Sequence, residues 1–300
     1  MRLIEGTFLQ FWASMREVSA AQWAKELDAM RAVKIHTIIL QWTQADGRNL
    51  FETPDPFPAI LRLAHQRGMK FVFGLRYDGR WWREWGNPQY LRGEATESIA
   101  LAREVHRRYG KHPAFAGFYI PYELWDGLLT EAQTEHLREM LHTISSACRQ
   151  LTPGKPVLLA PFFSGQLSPE RFEQLWLRLL RDRPVDVVAL QDGVGARGWD
   201  GQIEEKVPPY FAAMQHACKE HGVALWCDLE CFRLTNNNPS RPEFAPATAE
   251  RIVRQLKVVS AYVQRVVTFD FYHYMSPYRG EAQRTLYERY RSIVASAANH

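Results

Sequence analysis

Eight apolar, strand-like runs alternate with eight helical segments along this chain, and their order constrains the fold more than any other feature. The runs are almost continuously hydrophobic and rich in β-branched and aromatic residues, which is typical of strands buried on both faces. Strict repetition of strand then helix predicts a parallel sheet with the helices outside it, and eight units predict a closed (β/α)8 barrel. The eight predicted strands are 3–10, 35–42, 70–76, 115–123, 157–163, 185–192, 223–230 and 266–273.

Capping signals mark where the intervening helices begin and end. Ser19 and Thr130 each stand three residues before a glutamine, the spacing of a capping box. Ser168 followed by proline predicts a third helix start, and Gly68 is placed as the glycine that ends a helix. Helical periodicity also covers about 96–109, 248–262 and 281–295, and another helix is predicted to end at Gly222.

An open, doubly wound sheet is the alternative fold for such a pattern. That fold usually carries a glycine-rich turn after its first strand, and the sequence GTFLQFWAS at 6–14 has no such turn. The chain also contains no linker and no low-complexity segment. We therefore predict one domain, a single (β/α)8 barrel over residues 1–300.

Composition and charge exclude several classes of partner. The net charge is +4 with the basic residues scattered, so we expect no nucleic-acid partner, whose footprint is a clustered basic face. No apolar run approaches the roughly 18 residues of a membrane helix, so no membrane partner is expected. The first strand starts at residue 3, which leaves no room for a signal peptide. The sequence as written predicts a cytoplasmic protein, or a periplasmic or secreted one if a leader has been removed.

The strand ends carry the residues that suggest a function. Active sites of barrel enzymes lie at the carboxyl ends of the strands. These ends hold three glutamines, two glutamates, an arginine, an aspartate and a histidine, whereas strands that merely turn polar at solvent would end in a more mixed set. We therefore predict a pocket at this face. The strand-end residues are Gln10, Gln41, Trp42, Arg76, Tyr122, Glu123, Phe162, Phe163, Gln191, Asp192, Glu230 and His273.

Tryptophans gather after the strands. Seven of the ten follow a strand directly or lie in the loop behind it, where flat aromatic faces can stack on sugar rings. The alternative is that some of them pack under the long strand-to-helix loops. Those predicted to bind sugar are Trp42, Trp81, Trp82 and Trp125; the others are Trp12, Trp85 and Trp199.

Glu123 and Glu230 end the fourth and seventh strands, which lie on roughly opposite sides of an eight-stranded barrel. Two carboxyl groups about 5–5.5 Å apart can cleave a glycosidic bond with retention, one as acid/base and the other as nucleophile. Arg76 and His273 are candidates to keep one glutamate ionised and oriented. The alternative for both glutamates is a structural ion pair in the barrel mouth.

Other barrel chemistries have weaker support. The first strand lacks the His-x-His of barrel amidohydrolases, and within the predicted strands only His36 and His273 are histidines. Schiff-base chemistry needs a lysine inside the barrel, but Lys34 and Lys70 stand where strands start. The Gly-Val-Gly sequence at 193–195 could cradle an anion, although a tight turn is the simpler interpretation. We predict no metal and no cofactor, and we interpret the four cysteines as free buried thiols.

The motifs at the strands resemble a known bacterial family. GTFLQFW, IILQW, FVFGL, GFYIPYE, APFF, LQDGVG, LWCDLE and FYHYMSP together resemble the domain of unknown function 4434 family over nearly the whole chain. The resemblance implies a TIM barrel related to clan A glycoside hydrolases, with Glu123 as acid/base and Glu230 as nucleophile. That clan usually places asparagine before the strand-four glutamate, a position held here by Tyr122.

The sequence thus predicts a glycoside hydrolase, and two alternative functions remain open. One is a catalytically silent barrel that only binds carbohydrate, and the other is an inverting enzyme that pairs Asp192 with a glutamate. The residues predicted to bind substrate around Glu123 and Glu230 are Gln10, Gln41, Trp42, Arg76, Trp81, Trp82, Tyr122, Trp125, Gln191, Asp192, Tyr272 and His273.

Overall fold

Eight parallel strands form a closed barrel, which confirms the predicted fold class. The structure, a computed structural model, describes residues 1–52, 54–127, 129–236, 238 and 240–297. The strands follow one another around the barrel in chain order, and the last pairs with the first. They are β1 Ile4–Leu9, β2 Thr37–Leu40, β3 Lys70–Gly74, β4 Phe115–Ile120, β5 Val157–Leu159, β6 Val187–Gln191, β7 Ala224–Glu230 and β8 Arg265–Phe269.

A long helix follows each barrel strand and packs outside the barrel. Shorter elements decorate the strand-to-helix loops, among them one-turn helices at Trp81–Glu84 and Phe271–Tyr274 and a hairpin that joins Phe232–Leu234 to Phe244–Pro246. The long helices are α1 Ala20–Ala32, α2 Phe57–Gln66, α3 Pro88–Tyr109, α4 Glu131–Leu151, α5 Pro169–Leu179, α6 Ile203–Glu220, α7 Ala249–Val259 and α8 Glu281–Ala297.

The predicted capping signals are present at the helix ends. Ser19 accepts a hydrogen bond from the backbone of Gln22 at 3.2 Å, and Thr130 forms the reciprocal capping box with Gln133. Gly68 follows α2 with φ at +68°, the left-handed conformation that glycine adopts without steric cost. These local signals were readable from the sequence because each depends on residues within one turn.

Several element boundaries differ from the prediction; β4 and β5, for example, end at Ile120 and Leu159 instead of residues 123 and 163. Helix α3 begins at Pro88 instead of about residue 96, because the Asn87 side chain caps the backbone of the first turn and proline suits its first position. Strand β8 ends at Phe269, whereas we predicted a strand through residue 273. There the Asp270 carboxylate accepts a hydrogen bond from the His273 backbone at 2.8 Å and starts a one-turn helix.

Alternation along the strands decides which side chains enter the barrel. Side chains on a strand point to opposite faces in turn, so every second residue faces inward. A buried cluster that includes Phe8, Tyr119, Leu158 and Trp226 fills the barrel interior. The intervening residues pack against the helices in a second and larger core. The same alternation continues past the strand ends and selects the residues that line the mouth.

The four cysteines are buried and free, as the sequence indicated. In the part of the chain that the structure describes, no helix has the length and apolar character needed to cross a membrane.

Candidate active site

A cavity of about 420 Å³ opens at the carboxyl ends of the strands. Three carboxylic acids and three glutamines face it, and aromatic side chains form most of the remaining wall. The polar lining residues are Gln10, Gln41, Glu123, Gln191, Asp228 and Glu230; the aromatic ones are Phe8, Trp42, Tyr77, Tyr119, Phe232, Phe244 and Phe269. The cavity thus brings together both glutamates singled out from the sequence.

Glu230, the last residue of β7, is held by the loop that follows β6. Its Oε2 accepts a hydrogen bond from the backbone N–H of Ala196 at 2.7 Å. A Cβ on Gly195 would lie 2.1 Å from the carbonyl oxygen of Phe232 and 3.1 Å from Oε2 of Glu230. The turn at 193–195 therefore brings the backbone N–H of Ala196 to the carboxyl group of Glu230.

Asp192 lies behind Glu230 and outside the cavity lining. Its side chain is fully buried, and its Oδ1 accepts hydrogen bonds from the backbone of Val194 at 3.2 Å and of Glu230 at 3.3 Å. Its Oδ2 accepts one from Gln255 Nε2 at 2.6 Å. We predicted Asp192 to contact substrate, but it follows the inward-facing Gln191 and so points toward the helices.

Arg251 on α7 reaches the same region from outside the barrel. Its Nη2 donates to the carbonyl oxygens of Glu230 at 2.7 Å and Phe232 at 2.6 Å. Sequence reasoning missed this residue and Gln255. The available signal was their place on α7, since both fall among the buried residues Ala249, Ile252, Leu256 and Val259 of an otherwise apolar face.

Glu123 is held by a different kind of donor. Its Oε1 accepts a hydrogen bond from Gln191 Nε2 at 3.0 Å, and the same nitrogen donates to the carbonyl oxygen of Ala160 at 3.0 Å. The backbone carbonyl of Glu123 accepts from the indole of Trp81 at 3.0 Å. The predicted residue Gln191 thus contacts one of the two glutamates directly.

Burial raises the pKa of both glutamates. For Glu230, desolvation is the largest cause and the negative charge of Asp192 adds to it, while the Ala196 N–H and the charge of Arg251 lower its pKa. For Glu123, desolvation raises the pKa and the hydrogen bond from Gln191 lowers it. Asp192, equally desolvated, also has a raised pKa. The two glutamates differ in their neighbours, since the charge of Arg251 partly offsets the desolvation of Glu230, whereas Glu123 has only a neutral amide as its hydrogen-bond donor.

Asp228 is a third cavity carboxyl that sequence reasoning missed. It lies two residues before Glu230 on β7, which places both on the inward face, and it is 2% exposed. Burial raises its pKa well above the usual range, and the charges of Glu230, Asp192 and Glu123 raise it further. Its signal was an acidic residue within an apolar strand, in step with Trp226 and Glu230.

Three residues predicted at the site serve a structural network beside it. Arg76 donates to Glu94 at 2.8 Å and Gln44 at 2.7 Å, so it does not hold either catalytic candidate. The Tyr122 hydroxyl donates to Glu94, and its buried ring packs against that of Trp81 with ring centres 4.8 Å apart. Tyr122 points away from the barrel axis. It therefore lies outside the cavity lining, and so does Trp81, whose ring packs against it.

Tyr272 and His273 also lie outside the cavity lining, since they belong to the helical turn after β8. The Nδ1 of His273 is 2.7 Å from the carboxylate of Asp270, and its ring lies beside that of Trp12 with centres 4.9 Å apart. Tyr272 is buried and stacks on Trp23. The expectation that His273 supports a glutamate is therefore wrong, because its carboxylate partner is Asp270.

A row of aromatic side chains follows the ends of β2 to β5, and two of its members, Trp42 and Tyr77, line the cavity. Trp42 and Tyr77 are stacked with centres 5.4 Å apart, and the Tyr77 hydroxyl accepts a hydrogen bond from the indole of Trp82 at 3.1 Å. Trp82 contacts Trp125, which stacks on Phe162 at an interplanar angle of 8°. These five residues, called the aromatic row below, include three of the four predicted sugar platforms.

The residues that the structure describes contain no group of three or more His, Cys, Asp or Glu side chains positioned to hold one metal ion.

The sequence profile of one family matches nearly the whole chain. It is the domain of unknown function DUF4434, and the match covers residues 4–281. The chain belongs to the DUF4434 family. The chain is also similar to the uncharacterized protein YbcH of Escherichia coli strain K12. The two are 25% identical over 223 residues, which cover 69% of this chain and 71% of YbcH.

Solved structures similar to this DUF4434 protein share its barrel. A "putative alpha-L-fucosidase" from Bacteroides thetaiotaomicron superposes with a TM-score of 0.80 at 24% identity, covering 98% of this chain and 94% of that chain. An endo-beta-1,4-mannanase from Thermotoga petrophila gives a TM-score of 0.65 at 15% identity, with coverage of 99% and 77%. The DUF4434 barrel therefore shares its TIM-barrel fold with both structures.

Proposed function

We propose that this protein is a retaining glycoside hydrolase with Glu230 as nucleophile and Glu123 as acid/base. The observation that carries the proposal is that both carboxyl groups line one cavity, from the ends of β4 and β7, with separate hydrogen-bond partners. Each glutamate is thereby oriented by its own hydrogen-bond donor, independently of the other. A paired structural role would instead leave them bonded to a common cation.

The reaction would proceed by double displacement. Glu230 attacks the anomeric carbon and forms a glycosyl ester, while Glu123 gives its proton to the departing glycosidic oxygen. Water then attacks the same carbon, Glu123 takes the proton from that water, and the Glu230 carboxylate is released. Two inversions at one carbon give net retention.

The charges and hydrogen-bond donors around the two glutamates support these roles, although burial raises the pKa of both carboxyl groups. The nucleophile must be ionised, and Glu230 has a backbone N–H at its carboxylate and the guanidinium of Arg251 behind it. The acid must hold a proton, and desolvation raises the pKa of Glu123 with only an amide hydrogen bond against it. Asp192 is fully buried behind the cavity, which argues against an inverting pair that includes it.

The cavity walls and the structural relatives support a carbohydrate substrate. The aromatic row offers flat apolar faces beside Glu123, where the departing part of a substrate would lie. The similar structures carry names of enzymes that act on fucosides and on mannan. We therefore propose an oligosaccharide or polysaccharide as the substrate.

Substitution of each glutamate tests the proposal. Glu123→Gln and Glu230→Gln are expected to lose activity on whichever member of a glycan panel the wild type cleaves, while Glu131→Gln, an exposed residue on α4, should keep full activity. Product configuration, followed by NMR during the first turnovers, should show retention. Undiminished activity in both glutamine variants would show the assignment to be wrong.

Azide distinguishes the two roles. In Glu123→Ala, azide should attack the glycosyl-enzyme and give a glycosyl azide of retained configuration from an aryl glycoside. In Glu230→Ala, azide can occupy the space of the lost carboxylate and attack the anomeric carbon directly, which gives the inverted azide. The opposite pairing of variants and products would exchange the roles of Glu123 and Glu230.

A carbohydrate-binding barrel without catalysis is the second candidate. The observation that favours it is the raised pKa of Glu230, because a protonated carboxyl is a poor nucleophile. Binding of a glycan to the wild type, with no cleavage over a broad panel, would establish this function in place of hydrolysis.

A further inference from the structure

Asp228 lines the cavity and carries a buried carboxyl oxygen without a hydrogen-bond partner among the described residues. The residue lines the cavity one step deeper than Glu230, and its Oδ1 accepts no hydrogen bond from any residue that the structure describes. Burying a polar atom without a partner costs about 1–3 kcal/mol. A binding site can tolerate this cost in free energy, because a bound ligand supplies the missing hydrogen bond.

Gln41 presents a second atom of the same kind. Its side chain lines the cavity from the end of β2, and its Oε1 is also without a hydrogen-bond partner among the described residues. Two acceptor atoms from different strands of one cavity, β2 and β7, match the hydroxyl groups of a sugar ring, each of which can donate and accept. Both observations are independent of the pair Glu123 and Glu230.

The charge of the lining restricts the ligand further. Among the described residues that line the cavity, three are carboxylic acids and none is lysine, arginine or histidine. The cation Arg251 lies outside the cavity with its Nη2 committed to two carbonyl oxygens. A ligand carboxylate would enter a desolvated space in which no described lining residue is a counterion, which is strongly unfavourable.

We propose that Asp228, together with Gln41, recognises hydroxyl groups of a neutral glycosyl unit in the base of this cavity, and that the cavity rejects the corresponding uronic acid. This inference rests on the proposed function, because it names the kind of sugar that the same cavity binds. Asp228 acts here as a neutral carboxylic acid that donates one hydrogen bond and accepts another. Desolvation, which raises its pKa, keeps it in that form.

Binding, measured without regard to cleavage, tests the inference on the full chain. The probes are the methyl glycosides of glucose, galactose, mannose and fucose, with methyl glucuronide and methyl galacturonide as the charged counterparts of the first two. Dissociation constants come from ligand-observed NMR titration. We expect at least one neutral glycoside to bind the wild type and both uronides to bind at least about tenfold more weakly than their neutral counterparts.

Asp228 variants identify the residue responsible. Asp228→Asn keeps one donor and one acceptor and is expected to bind within about threefold of the wild type, whereas Asp228→Ala should lose about tenfold or more. Asp228→Ser, with a shorter hydroxyl, should fall between them and serves as the second variant if alanine impairs folding. Asp182→Asn, on an exposed turn, is the matched control and should leave binding unchanged.

Several outcomes would overturn the inference. They are a wild type that binds no neutral glycoside, a uronide that binds as tightly as its neutral counterpart, and full affinity in both Asp228→Ala and Asp228→Ser. Failure of the proposed function is a separate result. It would show normal binding and normal Asp228 effects without hydrolysis of any aryl glycoside or glycan.

Discussion

The backbone N–H of Ala196 donates to Oε2 of Glu230 at 2.7 Å, so a loop from one strand end orients the carboxylate on the next. The contact is possible because Gly195 lets that loop approach the backbone at Phe232. Orientation by a backbone donor is rigid, since it needs no side chain to be ordered. The relationship makes the β6–α6 loop part of the candidate catalytic machinery.

Replacing Gly195 should therefore disable the site. In Gly195→Ala the new Cβ would meet the Phe232 carbonyl oxygen at 2.1 Å, so the loop must move and Glu230 loses its donor. We expect at least about a tenfold fall in kcat/KM, the scale of a lost positioned hydrogen bond. Gly201→Ala is the control, because nothing lies within 4 Å of the added carbon. Equal activity of the two variants would contradict the role of the loop.

Removing the acidity of Glu230 should stabilise the protein in a pH-dependent way. Its pKa is raised on folding, so this carboxyl favours the folded state fully below its unfolded pKa and loses that contribution as pH rises through the folded pKa. Glu230→Gln should consequently raise Tm by a few degrees near pH 8 and by much less near pH 4. Thermal melts at both pH values measure the change in Tm relative to the wild type, with Glu131→Gln as the exposed control. A larger gain at the lower pH would refute the burial argument.

Arg251 should set the acidic limb of the pH–activity profile. Its charge lowers the pKa of Glu230, which must be ionised to attack. In Arg251→Met the acidic limb of kcat/KM should move to higher pH, and Tm should fall because the carbonyl groups of Glu230 and Phe232 lose their donor. Arg251→Lys keeps the charge and should leave the limb closer to its original place. An unmoved limb in the methionine variant would argue against this electrostatic role.

Gln191 should set the opposite limb. Its hydrogen bond lowers the pKa of Glu123, which must be protonated to act as the acid. Gln191→Leu removes that bond, so the pKa of Glu123 rises and the alkaline limb of kcat/KM should move to higher pH while the acidic limb stays. A full pH profile on one aryl glycoside separates the two limbs. Movement of the acidic limb alone would exchange the assignments of Glu123 and Glu230.

Two adjacent tryptophans should respond in opposite ways. Trp82 is 44% exposed in the aromatic row, so Trp82→Ala should raise KM for an oligosaccharide and barely alter Tm. Trp81 is 1% exposed and its indole holds the Glu123 carbonyl, so Trp81→Ala should cost about 3–5 kcal/mol of stability. Chemical denaturation measures the free energy of unfolding of both variants, and steady-state kinetics measures their KM. A stable Trp81→Ala protein would show that we have misjudged its packing.

The helix caps and the strand–helix order were readable from the sequence because they depend on neighbouring residues. Ser19, Thr130 and Ser168 cap helices in the structure as their local patterns indicate. The end of β7 at Glu230 was placed by the same kind of reasoning, whereas β4 ends at Ile120 and Glu123 lies three residues beyond it. The sequence also held a signal for Asp228 in the alternation of β7.

Only the tertiary structure decided which side of β4 faces the cavity. Ala116 packs with the barrel interior and so does Tyr119, so the alternation changes phase between them. The register with β3 shifts there, at Gly117, whose φ is +137° and where a Cβ would meet the Pro156 carbonyl oxygen at 2.3 Å. Without that shift Tyr122 would point inward and Glu123 outward.

The supports of the two glutamates lie far from them in the chain. Gln191 is 68 residues from Glu123, Ala196 is 34 residues from Glu230, and Arg251 reaches back 21 residues to the Glu230 carbonyl. The sequence by itself determined the barrel and the strand ends, since periodicity and capping act over a few residues. The cavity, its third carboxyl and the positions of Arg76, Asp192 and His273 depended on register and on contacts between distant elements, which only closure of the barrel brings together.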